Sequence, residues 1–471
     1  MINSNSILLI TSDFKSMNLG KRGVLIVNEK KHEWIKTSIT GEYILKLLKD
    51  PMSYLELLNN ITCYYEVCVE DIEEIILKTL LSFYSHNIIT IDGESNNNEP
   101  QYIVNENNEL QQIWLNITNR CNYSCPQCFS KIDNADLHLS LQIVEDLMLQ
   151  ASELSVTDIT ISGGEPSLHP NFVDIVKAVK NNNIPVKVIT NGTIVDLNSE
   201  ILNQLRYYVD DVQISFDGIC ANTHDQIRGI GAFEKALNAL KFFKDGNARV
   251  GIGFTPLLEN ISELENLYDF GFLHEVDYLH ISRPSAPSNV NYCNKEEFLS
   301  ERFFGQVIDQ VSKLREREQR FREMYRAMER KYPMIYASFI PHLNMIDNVK
   351  KERCSAGITT ISIMEDGEVY PCVSMSTNRK KELSCGNIYS AKLKDIHVNA
   401  RNKMIQSFSV NDNKDCKKCI FKFFCGGGCR STGNNIYDHD SSCSEFKKRY
   451  VQFVKNISLT NVRALSRKNE Q

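Results

Sequence analysis

Cys121, Cys125 and Cys128 stand in the spacing Cys-x3-Cys-x2-Cys, directly after a β-like run at 113–118. Three thiolates can occupy three corners of an iron–sulfur cube and leave one iron open for a ligand that does chemistry. A zinc knuckle lacking its partner, or three unrelated thiols, would fit the same stretch. Downstream, the β-branched run 158–161 stops at Ser162-Gly163-Gly164-Glu165-Pro166, where two glycines let backbone approach a ligand and the glutamate can accept from an amine. A second group of cysteines fills the last third of the chain. Cys416-x2-Cys419-x5-Cys425-x3-Cys429 and then Cys443 crowd one short segment, where 15 cysteines spread evenly over 471 residues would place about one. Upstream lie Cys354 and then Gly367-x4-Cys372. Glycines 426 to 428 let the backbone fold tightly around a cluster whose sulfurs want amide donors. A tetrathiolate zinc site is the plain alternative for four of these thiols.

The elements that must position these residues can be read from periodicity. From residue 113 the chain alternates strands (113–118, 158–161, 186–190, 212–216, 249–254, 278–281) with helical stretches near 140–153, 171–182, 233–244 and 261–270. This pattern predicts an α/β parallel sheet with crossover helices, and six repeats suit a partial (β/α)6 TIM-like barrel. Ligands gather at the carboxyl ends of such strands. Gly163 to Pro166, Thr190-Asn191-Gly192 and Ser215-Phe216-Asp217-Gly218 all fall at strand ends. Ahead of the barrel, strand-like runs at 6–11, 23–28 and 88–91 surround helical periodicity at 41–49, 54–61 and 69–85, which suggests a small winged-helix-like unit. A polar stretch over 92–112 separates the two and reads as a linker.

Composition bounds the rest. A chain of 471 residues with 42% hydrophobic content can bury a large core and divides into two or three domains. No apolar run reaches the roughly 18 residues that span a bilayer, and 7–10 is too short for a signal-peptide core, so neither a membrane nor export is expected and the chain is placed in the cytoplasm. A reducing compartment turns 15 cysteines away from disulfides and towards metal thiolates. The net charge of −6 and the lack of a basic, aromatic-interleaved stripe argue against nucleic acid. The charge-rich stretch 313–331, with Leu314, Phe321, Met324, Tyr325 and Met328, reads as a solvated amphipathic helix. Cys63, Cys68, Cys220 and Cys293 fit no spacing and are expected as buried thiols acting as small hydrophobes.

Cys-x3-Cys-x2-Cys followed by Gly-Gly-Glu-Pro resembles the radical S-adenosylmethionine superfamily. The resemblance implies that Cys121, Cys125 and Cys128 hold a four-iron, four-sulfur cluster whose open iron chelates the amino and carboxylate groups of S-adenosyl-L-methionine. Gly163, Gly164, Glu165 and Pro166 would hold the methionine end. Asn191, Ser215 and Asp217 would lie near the cofactor, and Arg228 would pair its carboxylate. One residue departs from the family: Gln127 precedes the third cysteine, where an aromatic usually packs near the adenine.

The arrangement from Cys354 to Cys443 resembles the SPASM domain, which usually carries two auxiliary iron–sulfur clusters. That resemblance assigns Cys416, Cys419, Cys425 and Cys443 to one cluster and Cys354, Cys372 and Cys429 to the other, with Cys385 as candidate fourth ligand. Three four-iron clusters follow in all. Residues 23–28 and 38–45 resemble the peptide-recognition element at the front of many peptide-modifying enzymes, where a leader peptide adds a strand. The implied divisions are recognition element 1–95, linker 96–112, barrel 113–290, helical connection 291–350, SPASM domain 351–450 and tail 451–471. Together these resemble maturases of ribosomally made peptides, above all the sactipeptide and ranthipeptide synthases that join a cysteine sulfur to a peptide carbon. The implied partners are a precursor peptide bound through its leader and an electron donor such as flavodoxin or ferredoxin. Carbon–carbon crosslinking, epimerisation, decarboxylation and formylglycine formation use the same parts. A non-enzymatic iron–sulfur carrier or sensor is a separate reading, one that would need no Gly-Gly-Glu-Pro turn.

Overall fold

A computed structural model of the protein describes residues 2–11, 14–29, 33–95, 109–128, 136–283, 295–298, 300–325, 332–337, 353–376, 381–407, 409–433 and 437–456. Cys293, residues 96–108 of the linker and the end of the charge-rich stretch lie outside them.

The N-terminal residues form two small antiparallel sheets and three helices. Strands β1 (Ile7–Ile10), β5 (Met52–Ser53) and β6 (Ile89–Ile91) make one sheet, and β2 (Lys15–Asn18), β3 (Val24–Asn28) and β4 (Glu33–Thr37) make the other. Helices α1 (Ile39–Leu47), α2 (Tyr54–Tyr65) and α3 (Val69–Ser85) follow the predicted periodicity. Ser53 and Glu56 form a reciprocal capping box that fixes where α2 begins. Strands β2 and β4 escaped the sequence pattern, because Lys-Ser-Met-Asn and Glu-Trp-Ile-Lys-Thr show no clean apolar alternation.

The larger body is built on a sheet of ten strands. Strands β7 (Gln112–Asn116), β8 (Asp158–Ser162), β9 (Val186–Thr190), β10 (Asp211–Ser215), β11 (Arg249–Phe254) and β12 (Tyr278–Ile281) lie parallel and in chain order. Helices α4 (Leu141–Glu153), α5 (Phe172–Asn181), α6 (Ser199–Tyr208), α7 (Ala221–Arg228), α8 (Ala232–Lys244) and α9 (Leu267–Leu273) connect them. The six expected strands are followed by a seventh, β13 (Met334–Tyr336), parallel to β12. Three residues are too few for period-two alternation to announce it. On the other side of β7 lies β14 (Thr360–Ile363), also parallel, and then β15 (Glu368–Tyr370) and β16 (Gly386–Asn387), antiparallel. The sheet therefore does not end where the barrel was expected to end. It runs without a break into the cysteine-rich region.

The two faces of the sheet differ in chemistry. Ile113, Leu115, Ile159, Ile161, Val188, Ile214, Ile252 and Leu279 are fully buried in one core beneath the helices. Trp114, Thr160, Lys187, Gln213 and His280 occupy the alternate positions, on the opposite face. The long helix over 301–325 buries Leu314 in the same core and sets Phe321 against Tyr268 and Phe272. Among the described residues no helix is long and apolar enough to cross a membrane.

Candidate functional site

The loop bearing the first three cysteines is fastened to the end of β8. The amide of Gly164 donates to the Thr118 carbonyl at 2.7 Å and that of Glu165 to the Arg120 carbonyl at 2.8 Å. A side chain on Gly163 would meet the Thr118 oxygen at 2.3 Å, and one on Gly164 the Arg120 oxygen at 2.2 Å. Both glycines are thus required by the approach of protein backbone. Glu165 is held by donors from the protein. Its carboxylate is fully buried and accepts from the Ser167 hydroxyl at 2.7 Å, the Thr190 hydroxyl at 2.9 Å and the Asn191 amide at 2.8 Å, tying β8 to the end of β9. Burial raises its pKa, and these donors oppose the shift. Pro166 opens the short turn Pro166–Leu168 that follows.

Asn191 reaches the cysteines themselves. Its amide nitrogen lies 3.9 Å from the Cys121 sulfur and 2.9 Å from the Asn122 side-chain oxygen, while its own oxygen accepts from Thr193. Burial pushes the Cys121 thiol up to about 11, and the neighbouring Cys128 and Cys125 push the same way, so the structure brings the three sulfurs into one electrostatic group. Ser215 stands half-buried at the end of β10. Asp217, two residues on, is fully buried and accepts from Gln127 Nε2 at 2.5 Å, Arg228 Nε at 2.7 Å and the Thr255 amide at 3.1 Å. Both of its oxygens are engaged by protein, so its action is to hold Arg228, whose charge lies near Cys125 and Cys128. In the sequence Gln127 stands out only for being non-aromatic. Its bond to Asp217 joins residues 90 apart and leaves no local signal.

The later cysteines form two sets. Cys416, Cys419, Cys425 and Cys443 line one partly open cavity, with Phe421 and Tyr450 stacked at 4.8 Å on its wall. Burial pushes Cys416 to about 11 and Cys425 to about 12, and the other thiols of the set add to both shifts. Cys372 is raised by burial and then by Cys354 and Cys429. Gly426, Gly427 and Gly428 take φ of 61°, 79° and 72°, a left-handed reversal that sends Cys425 and Cys429 into different sets. A side chain at Gly428 would strike Asp440. Asp440, missed in the sequence, borders the four-thiol cavity, accepts from the Cys429 amide at 2.8 Å and receives both terminal nitrogens of Arg283, just past β12. Cys385 does not join either set. Its buried thiol donates to the Leu383 carbonyl at 3.5 Å, and the charges that act on it belong to Lys403 and Glu368. Cys63, Cys68 and Cys220 are exposed, contrary to expectation, because each sits at a helix end or an outer helix face.

The donor sets consist of thiols. A tetrahedral zinc ion needs sulfurs about 3.8 Å apart, given Zn–S bonds near 2.3 Å. Among the described residues no three His, Cys, Asp or Glu side chains are gathered tightly enough to hold one metal ion. Thiolate sets are the donor chemistry that iron–sulfur clusters take.

Residues 115–271 match the radical SAM superfamily, and residues 354–420 match SPASM, an iron–sulfur cluster-binding domain. The chain thus carries a radical SAM domain and a SPASM domain. The SPASM match stops before Cys425, Cys429 and Cys443, which the fold nevertheless brings beside its earlier cysteines. The antilisterial bacteriocin subtilosin biosynthesis protein AlbA of Bacillus subtilis (strain 168) is 26% identical over 72% of the chain and 71% of its own length. Mycofactocin maturase MftC of Mycobacterium tuberculosis (strain ATCC 25618 / H37Rv) is 34% identical, but over only 32% of this chain and 38% of its own. The chain superposes on SuiB of Streptococcus suis, solved with S-adenosylmethionine, with a TM-score of 0.57 at 18% identity over 92% of this chain and 99% of that one. At that identity the likeness is one of fold.

Proposed function

We propose that this radical SAM enzyme modifies a ribosomally made precursor peptide by joining a cysteine sulfur to a peptide carbon. In this reading Cys121, Cys125 and Cys128 hold the cluster that binds S-adenosyl-L-methionine, and the two later sets hold two auxiliary clusters, three in all. When bound, cluster and cofactor supply a 5′-deoxyadenosyl radical that removes hydrogen from an unactivated carbon. The chain's own residues do the rest. Asn191 presents an amide N–H to Cys121, Asp217 keeps Arg228 beside Cys125 and Cys128, and Arg283 holds Asp440 against the loop of Cys429.

The observation that carries the reading is the contrast between the two later sets. Four thiols surround one cavity, whereas Cys354, Cys372 and Cys429 make up a second set, and the charges acting on Cys385 are those of Lys403 and Glu368. A three-thiolate site leaves a position for a substrate sulfur, and the electron released on forming the carbon–sulfur bond has an acceptor there. Support for a peptide substrate comes from AlbA, named for bacteriocin biosynthesis, and from a structure of SuiB bound to its precursor peptide SuiA, whose fold this chain shares at a TM-score of 0.57. The leader would add a strand to β2, an edge strand whose residues alternate between half-buried and exposed. The electron would come from a flavodoxin or ferredoxin.

Anaerobic reconstitution with iron and sulfide, followed by S-adenosylmethionine, reductant and a cysteine-containing precursor peptide, tests this. Formation of 5′-deoxyadenosine with loss of two hydrogens per bond from the peptide is expected. Nucleoside with no mass change turns the reading to epimerisation, and none from a fully loaded enzyme removes the radical reaction altogether.

A further inference from the structure

Lys422 belongs to the wall of the four-thiol cavity, between Cys419 and Cys425, where it opens the short helix Lys422–Cys425 and is only 8% exposed. A buried ammonium group requires a partner. It lies over the Phe423 ring, 4.6 Å from the centroid, and the carboxylate set against it is Glu29, whose Oε2 is 3.2 Å away. Glu29 comes from the other end of the chain. It follows β3 directly, and its second oxygen, Oε1, holds Lys15 of β2 at 2.6 Å. Lys15 in turn donates to the Lys417 carbonyl at 3.3 Å, between Cys416 and Cys419. The N-terminal sheet thus delivers a negative charge to a cavity whose four sulfurs all lie nearly 400 residues later in the chain.

We infer that Glu29 is a positioning residue for electron transfer, which acts through Lys422 to set the reduction potential of the cluster held by Cys416, Cys419, Cys425 and Cys443. The inference rests on the reading that these four thiols hold an auxiliary iron–sulfur cluster. Reduction adds one electron to such a cluster, so a nearby cation favours the reduced form and a nearby anion opposes it. A buried charge is little screened by water, which makes its effect on a neighbouring cluster large. Lys422 alone would pull the potential up, and Glu29 offsets that pull. The other charged groups that border the cavity are Asp415, His439, Asp440 and Lys447. Asp415 faces His439 at 3.5 Å, and Asp440 is paired with Arg283. The sheet proposed to receive the leader and the four-thiol cluster are thereby parts of one electrostatic unit.

Redox titration of the anaerobically reconstituted full chain, followed by electron paramagnetic resonance, tests this. The signal of the four-thiol cluster is the one lost in Cys416→Ser. Glu29→Gln leaves Lys422 uncompensated and should raise the midpoint of that signal. The reduced-to-oxidised ratio at a fixed potential should rise about tenfold, which is about 59 mV for a one-electron couple. Lys422→Met keeps most of the apolar stem and leaves Glu29 to Lys15, and it should lower the midpoint by a similar factor. Glu29→Asp retains the charge and should titrate like wild type, and all three variants should load iron as wild type does. A merely structural role would move Glu29→Gln and Lys422→Met in the same direction or move neither, and either result overturns the inference. A loaded wild type from which Cys416→Ser removes no signal would instead remove the underlying reading of the four thiols.

Discussion

Gly164 is where the smallest change should do the most damage. A methyl group there meets the Arg120 carbonyl at 2.2 Å, and backbone cannot step aside as a side chain can. Gly164→Ala should therefore cost about 3 kcal/mol and prevent the first cluster from loading, seen as a lower melting temperature and a lower iron content. The spacing of the cysteines and glycines was legible in the chain, but the glycines' role was not, because the atoms they accommodate belong to residues 118–120. Protonation offers a second test. Burial lowers the pKa of His224 and His280 to about 4, with Arg228 adding to the first and Lys187 to the second, against the carboxylates of Asp217 and Asp225 that face His224. Both rings are neutral in the fold, so the unfolded chain takes up protons first as pH falls. Their contribution is complete above pH 6.5 and is lost on the way down to 4. Denaturant midpoints measured on cluster-free protein should fall across that window, and His280→Leu should flatten the slope.

At the scale of elements, the join between barrel and SPASM domain depends on a few buried groups. Arg283 and Asp440 are side chains only 15% and 1% exposed, so breaking the pair strands a charge. Asp440→Asn should cost about 3 kcal/mol or more in unfolding of the cluster-free protein, and it should loosen the segment after Cys429 to protease. No spacing pointed to Asp440, since its partners are an arginine over 150 residues earlier and an amide reached through the glycine reversal. Cys385 shows the opposite failure. Proximity in sequence suggested a ligand, yet the turn before β16 sends its thiol to the Leu383 carbonyl. Iron content should be unchanged in Cys385→Ser and reduced in Cys372→Ser. The six long strands were legible from β-branched runs, whereas β13 and β16, of three and two residues, exist only because neighbours supply their pairing.

At the scale of the whole molecule, the N-terminal sheet is no loose appendage. Trp34 packs on Phe453 with rings 6.4 Å apart, Lys36 donates to the Lys455 carbonyl at 3.0 Å, and Glu29 pairs with both Lys15 and Lys422, the latter on the wall of the four-thiol cavity. None of this docking was legible, because it pairs residues from opposite ends of the chain. The Leu19 amide bonds to the Gly23 carbonyl, so two-residue alternation turns the Ser16 amide away from β3. Ser16→Pro should weaken binding of the precursor peptide at least tenfold, by fluorescence anisotropy, while peptide-independent cleavage of S-adenosylmethionine persists. The pairing of β7 with β14, Gln112 to Thr360, has a bearing on biosynthesis. A ribosome releases β7 long before β14, so during translation the nascent parallel sheet presents an unpartnered edge next to its cysteine loop. The last contact that closes that edge arrives together with the first auxiliary cysteines. A chain stopped after residue 283 should therefore aggregate in the cell instead of accumulating as an independent radical domain.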